Sequence, residues 1–235
     1  MSNTIRTALL MFFRDEADIL EDTLQHWKDV GIEKFYLCDN GSKDNSSEIA
    51  YKFTDYVPLE PQTNWPAPAW INSMKKRALD DGYNWIFPVD ADEKIILGNW
   101  NDLHSYLNQL DKTLQQLEIP NAVCEVKYLN ILPTGHFSWQ EPHRKVFGKM
   151  AHHHQIVMGN HYIEGVEALL PSLGVYYEHR SIRSLQQFTT KMKNYMTAFN
   201  QMPFATHPHA ESYHKWQEQG DDYITNLYYS LIGES

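Results

Sequence analysis

Strand and helix patterns alternate through the first hundred residues with short connections, and this leaves little freedom in how the chain can fold. "TALLMFF" (7–13) reads as a strand. It is followed by "DEADILEDTLQHWKDVG" (15–31), a helix with Ile19, Leu20, Leu24 and Trp27 on one face and a stop at Gly31. "KFYLCDN" (34–40) is a second strand, "SKDNSSEIAYKF" (42–53) opens a second helix, and "DYVPLE" (55–60) follows as a third strand. Pro66 and Pro68 introduce a third helix in "AWINSMKKRALDDG" (69–82), and "NWIFPVD" (84–90) is the fourth strand. Such an order predicts an α/β fold with a mostly parallel central sheet and helices on both faces. Ligands of such sheets bind at the carboxyl ends of the strands. Those ends are Arg14-Asp15-Glu16, Asp39-Asn40-Gly41-Ser42 and Asp90-Ala91-Asp92, so three polar clusters are expected along one rim.

Beyond residue 100 the pattern loosens. "LHSYLNQLDKTLQQL" (103–117) reads as a helix, "AVCEVKYLNIL" (122–132) as a strand, 133–170 as loop-rich, "LGVYYEH" (173–179) as a strand and "SLQQFTTKMKNYMTAF" (184–199) as a helix. The polar, aromatic tail from Met202 has no clear pattern. With 235 residues, 42% of them hydrophobic, the chain is expected to form one domain around one sizeable core. The abrupt end "SLIGES" leaves open that it is a piece of a longer protein.

A formal net charge of −10 without a long basic run argues against nucleic acid or an anionic membrane surface as the main partner. Cys38 and Cys124 each lie in an apolar, strand-like run and read as buried thiols, which fits a reducing cytoplasm. No stretch resembles a signal peptide or approaches the roughly 20 apolar residues of a membrane span.

The fourth strand runs into Asp90, Asp92 and Glu93. On an extended backbone alternate residues share a face, so Asp-x-Asp would aim two carboxylates the same way. Hard divalent cations take such oxygens together with substrate phosphates, which makes a metal-bound diphosphate the expected ligand. In "CDNGSKDNSS" Gly41 suits a tight turn, and Asp39 is a candidate acceptor for the ring N–H of a pyrimidine. A base site and a metal-diphosphate site side by side point to a nucleotide diphosphate.

"RDEADILEDTLQHWKDVGIEKFYLCDNGSKDNS" (14–46) and "NWIFPVDADEKI" (84–95) resemble the nucleotide-binding half of GT-A (Rossmann-like) glycosyltransferases of the family 2 type, in the bacterial group with Arg-Asn-Glu and Asp-x-Asp-Glu motifs. "HRKVF" (143–147), "MGNHYI" (158–163) and "HRSIRSLQQFTTKMKN" (179–194) continue the likeness in order. The resemblance implies one GT-A catalytic domain, with a nucleotide-binding half at about 1–100, an acceptor or closing half at about 101–200 and a tail at 201–235. It makes Asp39 the base contact, with Arg14, Glu16 and Asn40 beside it, Asp90 a contact to ribose or metal, Asp92 the direct metal ligand and His179 a further one. Imidazole among oxygens puts Mn²⁺ ahead of Mg²⁺. Lys145, Arg183, Arg14 and Arg77 are candidate cations for the departing diphosphate, Arg183 ahead of the others and Arg77 read as a surface residue. His161 and Glu141, with Glu164 also in range, are candidates for the catalytic base. The "HHH" run at 152–154 reads as a solvated loop.

This chain departs from the group at Lys94, where an aromatic is usual, at Arg180-Ser181-Ile182 in place of Phe-Pro-Tyr, and in lacking a Glu-Asp pair between 130 and 170. The expected activity is sugar transfer from a nucleotide-sugar donor, UDP-sugars first and dTDP-sugars next, to a glycan or glycolipid acceptor in bacterial surface polysaccharide or lipopolysaccharide synthesis. Inversion is expected, in the cytoplasm, with peripheral contact at the inner membrane face left open. A nucleotidyltransferase is one alternative, although "MFFRDEADIL" lacks the glycines such enzymes carry after the first strand. A catalytically silent nucleotide- or sugar-binding module is another.

Overall fold

The computed structural model describes residues 4–55, 57–58, 67–139, 144–157, 160–199 and 210–233. Among them a six-stranded sheet forms the centre. Its strands are β1 (Thr7–Phe13), β2 (Lys34–Asp39), β3 (Trp85–Pro88), β5 (Ala122–Val126), β8 (Lys145–Lys149) and β11 (Leu169–Leu170), in the order β11-β5-β8-β3-β1-β2. β2, β1 and β3 run parallel, β8 is antiparallel to both of its neighbours, and β11 is parallel to β5. The chain is therefore a mixed α/β protein with a mostly parallel central sheet.

Alternation along the strands feeds two cores. Leu9, Met11 and Phe13 of β1, Phe35 and Leu37 of β2 and Trp85 and Phe87 of β3 pack on one face. That face is covered by α1 (Leu20–Val30), the short α2 (Ser46–Ala50) and α4 (Leu103–Gln116). Ala8, Leu10, Tyr36, Cys38 and Ile86 point the other way, against α3 (Ala67–Asp80) and the hairpin of β9 (Gln155–Val157) and β10 (Tyr162–Glu164). Burial of each large side chain is worth about 1.5–3 kcal/mol, and it fixes register because a slip of one residue would exchange the two cores.

A second sheet holds the site. Its strands β4 (Glu93–Ile96), β12 (Tyr176–His179), β6 (Tyr128–Ile131) and β7 (Phe137–Trp139) lie in the order β4-β12-β6-β7. The register places His179 between Glu93 and Asn130. Three helices follow, α5 (Leu185–Phe199), α6 (Ala210–Gln219) and α7 (Asp221–Ile232), and Phe188 of α5 packs with Ile224, Tyr228 and Ile232 of α7 in a separate small cluster.

Several expectations need correction. Val57 and Pro58 are not in a strand: proline has no N–H for a ladder, and the contact made is Asp39 N–H to the Pro58 carbonyl at 2.9 Å. Tyr56, Leu59 and Glu60 of that expected strand lie outside the described residues. The second helix is only Ser46–Ala50. The run 122–132 divides at Lys127 into β5 and β6, which belong to different sheets. The section read as loop-rich supplies β8, a central strand, hidden in the sequence because its end residues Lys145 and Lys149 are charged yet buried. Lys149 is paired with buried Asp111 of α4. The tail beyond Met202 contains α6 and α7.

Candidate functional site

β1, β2 and β3 end side by side, with Phe13 opposite Asp39 and Leu10 opposite Pro88, and the loops leaving them form one rim. At the third loop, β3 stops at Pro88, and Asp90 to Glu93 form a turn closed by the Glu93 amide on the Asp90 carbonyl at 3.2 Å. Asp90 and Asp92 are thus not on an extended strand, and they meet different partners. Trp27 Nε1–H of α1 donates to the Glu93 carbonyl at 2.9 Å, so a buried core residue anchors the turn.

Asp92 is 3% exposed. Its Oδ2 accepts from Lys191 Nζ of α5 at 2.8 Å, with Arg183 Nη1 at 3.6 Å, and its Oδ1 lies 3.5 Å from His179 Nε2. Burial alone would raise the carboxyl pKa, but Lys191 and His179 hold it well below the usual range. Burial likewise opposes the cationic forms of Lys191 and His179, and Asp92 outweighs it, so both are shifted upward. His179 Nδ1 is 2.7 Å from Asn130 Oδ1, an acceptor, so the proton sits on Nδ1 and fixes the ring orientation.

The other carboxylates of the turn face β8. Lys145 Nζ, from a side chain 3% exposed, lies 2.7 Å from Asp90 Oδ2 and 2.8 Å from Glu93 Oε1. The Glu93 contact is off the direction of a good hydrogen bond and is an ion pair. Glu93 Oε2 accepts the Asp90 amide at 2.9 Å, and Asn160 Nδ2 reaches Asp90 Oδ1 at 3.2 Å. Lys145 is therefore a buried strut under the turn, paired with two carboxylates.

Arg183 divides its guanidinium among Glu16, Asp18 and Asp92, with Asp18 Oδ2 2.7 Å from Nε. Glu16 has its pKa pushed up to about 7, first by burial and then by the charge of Asp92, against the pull of Lys191 and Arg183. Asp39 stands at the rim but is buried, and both its oxygens accept, from the Ser42 amide at 2.8 Å and from the Ser47 hydroxyl. It anchors the turn into α2. Beside it, Arg14 Nε, 3.7 Å from Asp15 Oδ2, and Asn40 Oδ1 are buried and have no hydrogen-bond partner among the described residues, one a donor and the other an acceptor.

His161 Nδ1 is held by the Arg144 carbonyl, and its ring lies 6.0 Å from that of Tyr128, which is itself 5.4 Å from His179. Glu164 is exposed on β10. Glu141 lies outside the described residues. Arg77 sits on α3 near the Tyr36 ring, 5.9 Å from its centroid. Hence Glu16, Asp90, Asp92, Lys145, His179 and Arg183 are brought together, with His161 joined to them through Tyr128. Lys191, Asn130 and Asn160 belong to the same constellation and were not singled out from sequence. Lys191 lies in the segment that resembles the closing part of the family, but a helical lysine alone carries no signal.

Asp92 Oδ1 and His179 Nε2 are of the donor types that a divalent ion takes alongside oxygens of a bound ligand. The imidazole is pinned through Nδ1, an ion would have to displace the Nε2 proton that faces Asp92, and Mg²⁺ or Mn²⁺ commonly takes one or two protein ligands plus phosphate oxygens. A second cluster, His153, His154 and Glu167, has donor atoms within 4.8 Å of one another. There the Ala151 amide donates to His154 Nδ1 at 3.2 Å, which leaves Nε2 as the protonated nitrogen of the neutral ring and no lone pair for an ion. The loop expectation holds for exposed His152 and His153, but His154 is fully buried where the turn wraps the Lys75 ammonium with its carbonyls.

No protein-family model matches the chain. It is 33% identical over 104 residues to a TPR repeat-containing protein of Synechococcus elongatus, a match taking up 44% of this chain and 25% of that protein. The matched region thus spans about a quarter of the length of that curated relative. Among solved structures, TarS from S. aureus is 14% identical with TM-score 0.37, covering 55% of this chain and 21% of TarS. A putative nucleotide-diphospho-sugar transferase from Desulfovibrio desulfuricans G20 is 10% identical with TM-score 0.32, covering 96% and 99% of the two chains. Scores this low leave the architecture resting on the sheet order itself. Among the described residues no helix is long and apolar enough to cross a membrane.

Proposed function

We propose that the chain is a GT-A-type glycosyltransferase that moves a sugar from a nucleotide-diphosphate donor to a glycan or glycolipid acceptor with inversion. The observation that carries this reading is Asp92, a buried carboxylate at the carboxyl end of the sheet, flanked by a pinned imidazole and two cationic side chains.

Asp92 and His179 would hold Mn²⁺ or Mg²⁺, which supplies Lewis-acid neutralisation of the departing diphosphate. Arg183 presents a planar fork suited to phosphate oxygens. At the adjacent strand ends Asp39, whose oxygens hold the Ser42 amide and the Ser47 hydroxyl and keep further lone pairs, stands with Arg14 and Asn40 as the group proposed to meet the nucleoside. For His161, the Arg144 carbonyl holds the proton on Nδ1, so Nε2 is the basic nitrogen, the arrangement a general base toward an acceptor hydroxyl requires. Glu141 stays the alternative base.

The test is a sugar-nucleotide panel with Mn²⁺, read by thermal stabilisation and then by donor hydrolysis or transfer. At least one donor should stabilise the protein, and Asp92→Ala should lower turnover by about 100-fold or more. Full activity in that variant would overturn the reading. Tight nucleotide binding without turnover on any acceptor would favour a silent binding module instead.

A further inference from the structure

Lys191 faces the site from α5. Its Nζ sits 2.8 Å from Asp92 Oδ2, on the carboxylate whose other oxygen faces His179. The Lys191 side chain keeps 22% exposure whereas that of Asp92 keeps 3%, so part of the lysine reaches the surface and the carboxylate does not. The helix is held independently of this contact. Asn194 Nδ2 donates to Asp15 at 2.8 Å, Gln187 Oε1 accepts the Arg183 amide at 3.1 Å, and Phe188 packs into the α7 cluster. Release of Asp92 by Lys191 would therefore leave these three anchors of α5 in place.

An ammonium against one carboxylate oxygen and a divalent ion at the other repel each other inside a poorly screened pocket. A free metal ion thus competes with Lys191 for Asp92, while a diphosphate offers the ammonium a new anionic partner as the metal takes the carboxylate. Lysine suits the exchange, being a compact charge with freely turning donors on a flexible stem. We propose that Lys191 is a diphosphate-binding residue that neutralises Asp92 in the donor-free protein and passes to a phosphate oxygen when the metal-bound nucleotide enters. The proposal rests on the sugar-nucleotide reading of the site. Its consequence is that metal and nucleotide load together, each weakly alone.

The experiment uses the full chain and Lys191→Met, with Mn²⁺ alone titrated by electron paramagnetic resonance, and UDP, dTDP, CDP and GDP titrated by calorimetry in excess Mn²⁺. The expected result is opposite signs. Mn²⁺ alone binds the variant more tightly, while the nucleotide that binds the wild type is weakened by about 10- to 100-fold. An ion pair that merely secures α5 would weaken both or leave both unchanged, and either outcome overturns the proposal. Lys191→Arg, which keeps the charge, should hold nucleotide affinity within a few-fold, and it carries the test if the methionine variant does not fold: Arg unable to replace Lys in nucleotide binding, at an unchanged melting temperature, would also count against exchange. If the wild type binds none of the four nucleotides with Mn²⁺, the sugar-nucleotide reading falls first. If it binds one and the two affinities do not diverge, only the role of Lys191 falls.

Discussion

Lys145 and Glu93 form a buried ion pair beneath the Asp-x-Asp turn, with Nζ 2.8 Å from Oε1 while the other carboxylate oxygen accepts the Asp90 amide. The same ammonium holds Asp90, so one residue of β8 fixes the shape of the turn. Removing one partner of a buried pair strands the other charge. Lys145→Met should destabilise the protein by about 3–5 kcal/mol in denaturant unfolding. Burial already raises the Glu93 pKa, so the loss should shrink toward acid pH, where Glu93 takes a proton. A double variant with Glu93→Gln should be less destabilised than the sum of the two single changes. Full additivity would remove the pair from this account.

Gly148 lies in β8 opposite Val123, where the strands approach so closely that a Cβ would stand 2.3 Å from the Ala122 carbonyl oxygen and 2.8 Å from Val123 Cα. Both obstacles are backbone and cannot turn aside. Gly148→Ala should therefore cost upward of about 2 kcal/mol, measured by thermal or chemical unfolding, although β propensity favours alanine over glycine. A neutral or stabilising substitution would show that β5 and β8 sit further apart than described.

Glu16 gives the site a pH dependence. Its pKa stands at about 7 in the fold, against an ordinary value of 4.5, so the folded state binds the proton more tightly than the unfolded chain does. The associated stability is complete below about pH 4.5 and is lost as pH rises through 7. At 1.36 kcal/mol per unit this is at most about 3 kcal/mol. The opposing pull of Lys191 and Arg183 is already contained in that value. Glu16→Gln keeps an acceptor for Arg183 and should flatten the fall in unfolding free energy between pH 5 and 8. Glu93 and His179 are shifted upward too and contribute slopes of the same sign, so the readout is the difference between wild type and variant. Parallel curves would place Glu16 as an ordinary ionised carboxylate.

The sheet was legible where period-two apolar runs alternate with amphipathic helices, because burial on two faces leaves that pattern in β1, β2 and β3 and in α1. Gly31 marked the end of α1 through a left-handed conformation that favours glycine. β8 stayed hidden, since Lys145 and Lys149 look solvated until their partners Asp90, Glu93 and Asp111 are known. Likewise the rim carboxylates could be read from strand ends, but Lys191 and Asn130 reach them only through tertiary placement. Local spacing does not encode a contact across 99 residues, such as Lys191 to Asp92.

Asn130 offers the sharpest check on whether His179 acts as a ligand. On β6, opposite His179, its side-chain oxygen receives Nδ1–H and so turns Nε2 toward Asp92. Loss of such an outer partner costs about 10- to 100-fold in metal affinity in sites of this kind. Asn130→Ala should therefore weaken Mn²⁺-dependent nucleotide binding by that range in calorimetry. Nucleotide binding measured without metal should change little, since Asn130 is not among the residues assigned to base or phosphate. If affinity with Mn²⁺ were unchanged while His179→Ala abolished it, the imidazole would orient itself without Asn130. If both variants bound as the wild type does, His179 would have no place in the metal site, and Asp92 would hold the ion with substrate oxygens alone.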